Sequence, residues 1–373
     1  MKKIPIYQPY LKGNESKYVN DCLESNWISS KGKYVSKFEQ SVESYIGDIS
    51  ATSCSNGTVA LHLAMLSLNI GPDDEVIVPT FTYIASVNAI RYVGAKPVFV
   101  DCDIDNWNIS ADLISKKITN KTKAIMCVHL YGVPIDIDPI IELACKHNIK
   151  VIEDCAEAFG SFYNKDHVGK KSDISTLSFF GNKTITTGEG GMVFSKDPKL
   201  INKVKILKNQ AVSETIPYWH DIIGYNYRLT NISSAIGLAQ IENIENILKI
   251  KKNIADSYKN YLEHHGVTFQ KIPKNSSSSF WLVVARFKSK KIRKAVSKNL
   301  ETSNIETRPA FPLISEMPPY TRFSDESYEN SKKISDTSLC LPSYPDLSDK
   351  DIEHISKIII RSIKSDTNLE KNP

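Results

Sequence analysis

The sequence predicts an α/β protein: a largely parallel sheet with helices on both faces, followed by a smaller unit of mixed helix and strand. Three observations carry this expectation. Between about residues 50 and 200, short apolar runs alternate with helix-length stretches. The runs are rich in β-branched residues and bounded by Gly, Pro or Asp, as buried parallel strands are. From residue 226 the texture changes to long amphipathic segments, and the alternation stops.

The strands expected are "EVIVPT" (75–80), "KPVFVD" (96–101), "KAIMCVHLYG" (123–132), "KVIEDCAEAFG" (150–160) and "ISTLSFF" (174–180). Between them "TVALHLAMLSL" (58–68), "IASVNAIRYVG" (84–94) and "IDPIIELACKHN" (137–148) read as helices. Residues 226–266 read as one or two long amphipathic helices. "PKNSSSS" (273–279) is a polar loop, and "FWLVVARF" (280–287) and "IETRPAF" (305–311) read as strands of the second unit. In "KSKKIRKAVSK" (288–298) lysines alternate with apolar residues at helical spacing, which describes a solvated helix face. The end "SDTNLEKNP" is expected to fray. The expected division is a large domain over 1–245 and a small one over 246–373.

Composition narrows the function classes. The chain has 373 residues, 41% hydrophobic and 24% charged, which is ordinary for a soluble globular protein. Its net charge of +5 is dispersed, with no concentrated basic face carrying aromatics, so nucleic acid is not an expected partner. The seven cysteines include no C-x-x-C pair, which argues against a disulfide framework or a metal site and for a reducing compartment. "MKKIPIYQPY" has no apolar signal core, and no apolar stretch approaches the roughly 20 residues of a membrane helix. A cytoplasmic protein without membrane attachment is expected.

In open α/β sheets, ligands sit beyond the carboxyl ends of the strands. Three such positions carry chemistry. "SNGT" (55–58) places Gly57 and Thr58 at a helix start, where free N–H groups and the helix dipole favour an anion such as phosphate. Asp154 closes the apolar run "VIED", and a carboxylate there needs a cation. Lys183 follows "ISTLSFF" in "SFFGNKTITTGEGGM", with Ser178 just before it as a hydroxyl donor. A desolvated lysine beside another cationic group becomes a nucleophile for carbonyls. The segment is not a nucleoside-triphosphate loop, because residue 182 is Asn and residue 177 is Leu. No G-x-G-x-x-G follows the first strand, which argues against NAD. A phosphate cradle, a carboxylate and a lysine together suit pyridoxal phosphate, whose aldehyde, ring nitrogen and phosphate need those three partners.

In the motifs "WISSKGKYVSKFE", "SNGTVALHLA", "DEVIVPTFTYIASVNAI", "AIMCVHLYG", "VIEDCAEAFGS", "SFFGNKTITTGEGGM" and "YWHDIIGYNYRLTNISSAIGLAQIE", taken in order over nearly the whole chain, the sequence resembles the DegT/DnrJ/EryC1/StrS sugar aminotransferases. The resemblance implies the aspartate aminotransferase-like fold (fold type I), with a large, mostly parallel domain and a smaller C-terminal α+β domain. It implies transfer of an amino group from glutamate to a nucleotide-linked sugar. The likeness is greatest to members that aminate C4 of GDP-4-keto-6-deoxymannose, whose product serves O-antigen and lipopolysaccharide assembly. A UDP- or dTDP-linked keto sugar is the alternative, and a cofactor-binding sensor without turnover is the reading from another class.

By the same resemblance Lys183 would bond covalently to the cofactor, Asp154 would pair with its ring nitrogen, and Gly57, Thr58 and Ser178 would hold its phosphate. Tyr83 would stack on the ring, and Asn226 would reach the phosphate in the partner subunit, making a homodimer the active unit. Glu157 stands near the ring's phenolic oxygen, where many relatives carry Gln. Arg228 and Arg308 are candidates for the substrate's diphosphate, because guanidinium grips phosphate in bidentate fashion; Arg228 could equally brace a dimer interface. Ser29, His220 and Tyr320 are candidates for the sugar, whereas Trp27 is expected in the core. One departure is visible: relatives often show a His after the "RP" block, and Ile314 and Ser315 stand there instead. No metal ligand set is expected.

Overall fold

The computed structural model describes residues 3–213, 215–324 and 326–369, with side chains of the last helix described as far as 365. Its main sheet has seven strands, in the order Ser50–Cys54, Gly191–Ser195, Ile174–Ser178, Lys150–Asp154, Thr122–Val128, Glu75–Pro79 and Lys96–Val100. Gly191–Ser195 pairs antiparallel with both neighbours, and every other pairing is parallel. The five strands expected from sequence are all present, with ends trimmed where the carboxyl edge turns into loops.

Two strands of the main sheet had no readable signal. "SATSC" is small and polar, and it is buried because its neighbours cover it. "GMVFS" follows the glycine-rich turn directly, which hides its start.

The strands are apolar on both faces because both faces are covered. Ile77, Ile125, Cys127 and Val151 enter one core, and Val76, Val78, Ala124, Met126 and Ile152 enter the other. This is the period-2 alternation of a sheet sandwiched between helix layers. The first expected helix is Gly57–Ser67, capped by the Asn56 side chain, which accepts from the Val59 N–H at 3.0 Å.

The long segment after residue 226 is extended as far as Thr230, which caps the helix Asn231–Glu242. A break at Asn243 then starts Ile244–Leu262, so this is two helices. "FWLVVARF" contributes the strand Val283–Arg286, and "IETRPAF" contributes only Arg308–Pro309. They join Thr268–Phe269 and Ser338–Leu341 in a four-stranded antiparallel sheet. The lysine-rich run forms Lys290–Thr302, with Ile292, Val296 and Leu300 buried as its spacing requires. "SDTNLEKNP" does not fray at its start: the helix Asp349–Leu369 runs through it, and residues 370–373 lie outside the described residues.

Trp27 is not in the core. It is 55% exposed, because the chain turns at Asn26 with φ 61° and only the Trp27 carbonyl faces inward, accepting from Asn231 Nδ2 at 2.6 Å.

The N-terminal arm joins the two sheets. Ile4 bridges to Ile305 beside the small sheet, and the Tyr7 hydroxyl donates to the Lys183 carbonyl at 2.8 Å. No described helix is long and apolar enough to cross a membrane.

One buried charge is costly. Lys251 is 2% exposed and donates to the Ser343 carbonyl at 2.9 Å, with no carboxylate paired to it among the described residues, and burial lowers its pKa to about 7. The folded value lies below the unfolded one, so the penalty is absent above pH 10.5, grows as pH falls and is complete below about 7. Lys251→Met is therefore expected to be more stable than the parent near pH 7, by a few kcal/mol at most, because the Ser343 carbonyl loses its donor. Chemical denaturation of both forms should show the advantage shrinking toward pH 10; an advantage that did not change with pH would contradict this.

Candidate active site

The parallel strands Lys150–Asp154 and Ile174–Ser178 lie side by side, and both end at the site. Helix Gly57–Ser67 begins against the end of the second. Two glycines make that contact possible. A Cβ on Gly57 would stand 2.7 Å from the Ser178 Cβ, and one on Gly191 would stand 2.4 Å from the Asn56 carbonyl oxygen. The first-turn N–H groups of Gly57 and Thr58 have no intrahelical acceptor, and they open beside the Ser178 hydroxyl. A helix start of this kind favours an anion.

Asp154 is 4% exposed. Its Oδ2 accepts from the Ser86 hydroxyl at 2.7 Å and its Oδ1 from the Ala156 N–H at 3.0 Å. One turn further, Glu157 is also buried, and its Oε2 accepts from the Tyr131 N–H at 2.6 Å. That N–H is aimed by Tyr131's left-handed backbone, φ 54°. Burial pushes the Glu157 pKa up to about 7, against Lys183 and the Tyr131 N–H, with Asp154 adding to the rise.

Lys183 lies on the turn after the strand Ile174–Ser178. Its Nζ sits 4.0 Å from the centre of the Trp281 ring. Burial lowers its pKa below the ordinary lysine value, and the charges of Glu157 and Asp154 oppose this without cancelling it. Trp281 is fixed by donating Nε1–H to the Asn182 carbonyl at 2.6 Å. Tyr131 stacks on Trp281 at 6.2 Å, Phe311 on Tyr131 at 5.2 Å, and Tyr83 meets Phe311 at 5.7 Å. An aromatic wall thus runs from the lysine to Tyr83, which is 56% exposed.

The structure brings Lys183, Asp154 and Glu157 into one electrostatic cluster and gathers Gly57, Thr58 and Ser178 at the cradle. Asn226 is exposed and accepts from Arg228 Nη2 at 2.9 Å, while Arg228 Nε is buried with no hydrogen-bond partner among the described residues. Arg308 is exposed and lies 3.8 Å from Glu306. Ser29 is exposed, and its carbonyl accepts from the Asn231 N–H at 2.6 Å. His220 lies on an exposed arm, with Nδ1 2.7 Å from the Gln210 carbonyl oxygen.

Tyr320 sits in the core against Phe99, its hydroxyl bonded to Asn88. Ser315 and Ile314, at the departure from the family pattern, bind Thr80 at a strand end: Thr80 Oγ1 donates to Ser315 Oγ at 2.7 Å and the Ile314 N–H to the Thr80 carbonyl at 2.9 Å.

Sequence reasoning missed Ser86, Tyr131, Trp281 and Tyr7, which reach the site from distant segments; Ser86 and Tyr131 stand inside quoted motifs, but nothing in those motifs pointed to their roles. The residues present fit pyridoxal phosphate: a helix start that a methyl group would crowd, a buried carboxylate at the end of the neighbouring strand, and a desolvated lysine within its field.

This fold and site define a sugar aminotransferase. The model of the DegT/DnrJ/EryC1/StrS aminotransferase family matches residues 9–360, and the chain belongs to that family. It is 50% identical to the GDP-perosamine synthase of Escherichia coli O157:H7, over 96% of this chain and 98% of that protein. It is 44% identical to that of Vibrio cholerae, over 95% of this chain and 98% of that one. Among solved structures, the putative sugar aminotransferase Spr1654 of Streptococcus pneumoniae in its PMP-form superposes with a TM-score of 0.95 at 26% identity, covering 100% of both chains.

Gly57→Ala tests the cradle. The methyl group must push the helix start from Ser178, so affinity for pyridoxal phosphate, followed by absorbance titration, is expected to fall about tenfold or more. Unchanged affinity would detach the cradle from phosphate binding.

Proposed function

We propose that this chain is a pyridoxal-phosphate-dependent aminotransferase that moves an amino group from glutamate to C4 of GDP-4-keto-6-deoxymannose, giving GDP-perosamine. The observation that carries the reading is the desolvated Lys183 ammonium enclosed with Asp154 and Glu157, in a chain that shares half its residues with a GDP-perosamine synthase. When bound, pyridoxal phosphate supplies an aldehyde that accepts an amino group and a ring that draws electrons from the reacting carbon.

The chain's own residues do the rest. Gly57, Thr58 and Ser178 hold the phosphate, and the fixed carboxylate of Asp154 faces the ring nitrogen and favours its protonated form. Tyr83, half exposed at the end of the aromatic row, would stack on the ring. The lowered pKa of Lys183 leaves more of its amine neutral at working pH, as a group that takes a proton in one half of the cycle and returns it in the other must be. Arg228, whose Nε lacks a partner among the described residues, and Arg308 meet the diphosphate, while Ser29 and His220 belong to the sugar end; Tyr320, buried against Phe99 with its hydroxyl on Asn88, is dropped from that set.

The working unit in this reading is a cytoplasmic homodimer, with Asn226 completing the partner's phosphate site. Its support is the segment 215–223, on which Tyr218, Trp219, Ile222 and Ile223 are exposed, Tyr218 by 97%. Large apolar side chains gathered on one projection want a cover, and a second copy supplies it. The amino sugar serves O-antigen assembly in lipopolysaccharide.

Lys183→Ala is expected to fold and to lose at least the ~10²–10⁴-fold that acid–base catalysis contributes. Production of 2-oxoglutarate from glutamate, with GDP-, UDP- and dTDP-linked 4-keto sugars compared side by side, measures both the loss and the acceptor. Full turnover by the variant, or preference for a UDP or dTDP sugar, would overturn the corresponding half of the reading.

A further inference from the structure

The turn that carries Lys183 is gripped at two consecutive carbonyls, and neither grip comes from the turn itself. The Asn182 carbonyl accepts from Trp281 Nε1 at 2.6 Å, and the Lys183 carbonyl accepts from the Tyr7 hydroxyl at 2.8 Å. Among the described residues no backbone N–H reaches either oxygen. The turn's own bond runs from the Lys183 N–H to the Phe180 carbonyl at 2.9 Å, which closes the turn and leaves both carbonyls to side chains.

Tyr7 is itself held from outside the main sheet. The Ile4 N–H donates to the Asn304 carbonyl and the Ile4 carbonyl accepts from the Glu306 N–H, both at 2.9 Å. The Ile6 N–H donates to Glu306 Oε2 at 3.4 Å. Pro5 lies between these anchors, and its ring fixes φ there. Ile6 is buried in the same apolar cluster as Tyr131 and Trp281, and Tyr7 packs against that cluster. The two donors that meet at the lysine turn thus belong to one packed body.

Position matters here because the amine stands at the end of a flexible four-carbon stem. Trp281 restrains both of its ends: the ring lies 4.0 Å from Nζ, and the N–H holds the preceding peptide. The Tyr7 hydroxyl is the restraint on the lysine's own carbonyl. Burial pushes the Tyr7 phenol above its ordinary pKa, so it stays a donor through the neutral range. A misplacement of about 1 Å in a reacting atom costs on the order of 10²-fold in rate.

We propose that Tyr7 is a positioning residue: its hydroxyl sets the backbone of residue 183 so that the amine meets the cofactor's aldehyde carbon. The N-terminal arm thereby ties the small unit to the covalent step. In that step the neutral amine adds to the aldehyde, a C=N bond replaces the C=O bond, and water leaves. The inference rests on Lys183 being the reactive amine.

Two probes on the full chain separate the covalent bond from the rest of the site. Pyridoxal phosphate can bond to Lys183, whereas pyridoxamine phosphate carries an amine where the aldehyde stood and cannot. Tyr7→Phe removes one oxygen and keeps the packing ring. Its affinity for pyridoxal phosphate, followed by absorbance titration, is expected to fall about three- to tenfold, the worth of one hydrogen bond. Its affinity for pyridoxamine phosphate, followed by calorimetry, is expected to stay within about twofold of the parent's. In the Lys183→Ala background the same substitution is expected to leave both affinities unchanged, as a double-mutant cycle requires of a residue that acts through the lysine. Equal weakening of both probes, or a loss that persists without the lysine, would show a merely structural role and overturn the proposal. Unchanged affinity of Tyr7→Phe for pyridoxal phosphate would overturn it as well. Borohydride fixation of pyridoxal phosphate on the parent is the separate control: a label on another peptide would overturn the reading of Lys183, and the proposal with it.

Discussion

The organising constraint in this molecule is the enclosure of one ammonium and two carboxylates at the carboxyl edge of a sheet. Ionised groups lose several kcal/mol each when taken from water, and only mutual attraction and fixed donors offset it. Ser86, Ala156 and the Tyr131 N–H supply those donors, and each comes from a different segment. The topology follows from this need. Strands ending at Asp154 and Ser178 must be neighbours, and the helix with its free N–H groups must start against the second of them.

The opposite face of the same strand carries a matching device. Glu153 alternates with Asp154, so it points away from the site. Its Oε1 accepts from the Gly169 N–H at 3.0 Å and lies 2.9 Å from His129 Nε2. His129 Nδ1 accepts from the Ile135 N–H, so Nε2 carries the proton. Burial pushes the Glu153 pKa up, but the bonds from His129 and Gly169 outweigh it and hold the group ionised. The backbone N–H of His129 donates to the Asp154 carbonyl at 3.3 Å. The strand end that presents Asp154 is thereby anchored from behind.

What was legible in the sequence and what was not divides along physical lines. Periodicity and β-branched content reveal strands that are apolar in themselves, so the five central strands could be read. "SATSC" is buried by its neighbours and not by its own composition, so it could not. The charged residues at strand ends were readable because burial of charge is exceptional. Asp154 and Lys183 stood out for that reason, and Gly57 and Thr58 because a helix start has its own signature. Ser86, Tyr131 and Trp281 act through packing between segments as far apart as the Lys183 turn and the small sheet. Their role is a property of the tertiary fold, and no spacing encodes it. Trp27 failed for the complementary reason: a positive φ at Asn26 decides where its ring points, and a general preference of tryptophan for the interior could not foresee that turn.

The same division bears on specificity. The interior of the site depends on charges and close contacts that tolerate little change: a methyl group at Gly57 or Gly132 would collide with the site's own framework. The groups proposed to meet a nucleotide sugar are of another kind. Ser29 and Arg308 are exposed, and His220 lies on an arm with exposed apolar side chains. Ile314 and Ser315, where the family pattern departs, are tied to Thr80 at the end of a central strand, so a change there is transmitted to the sheet edge and not confined to a loop. A fold arranged in this way can keep its amine chemistry while its acceptor changes. The exposed segment 215–223 can change without touching the buried charge cluster, whereas Ile314 and Ser315, buried and tied to Thr80, cannot change without reaching the sheet edge.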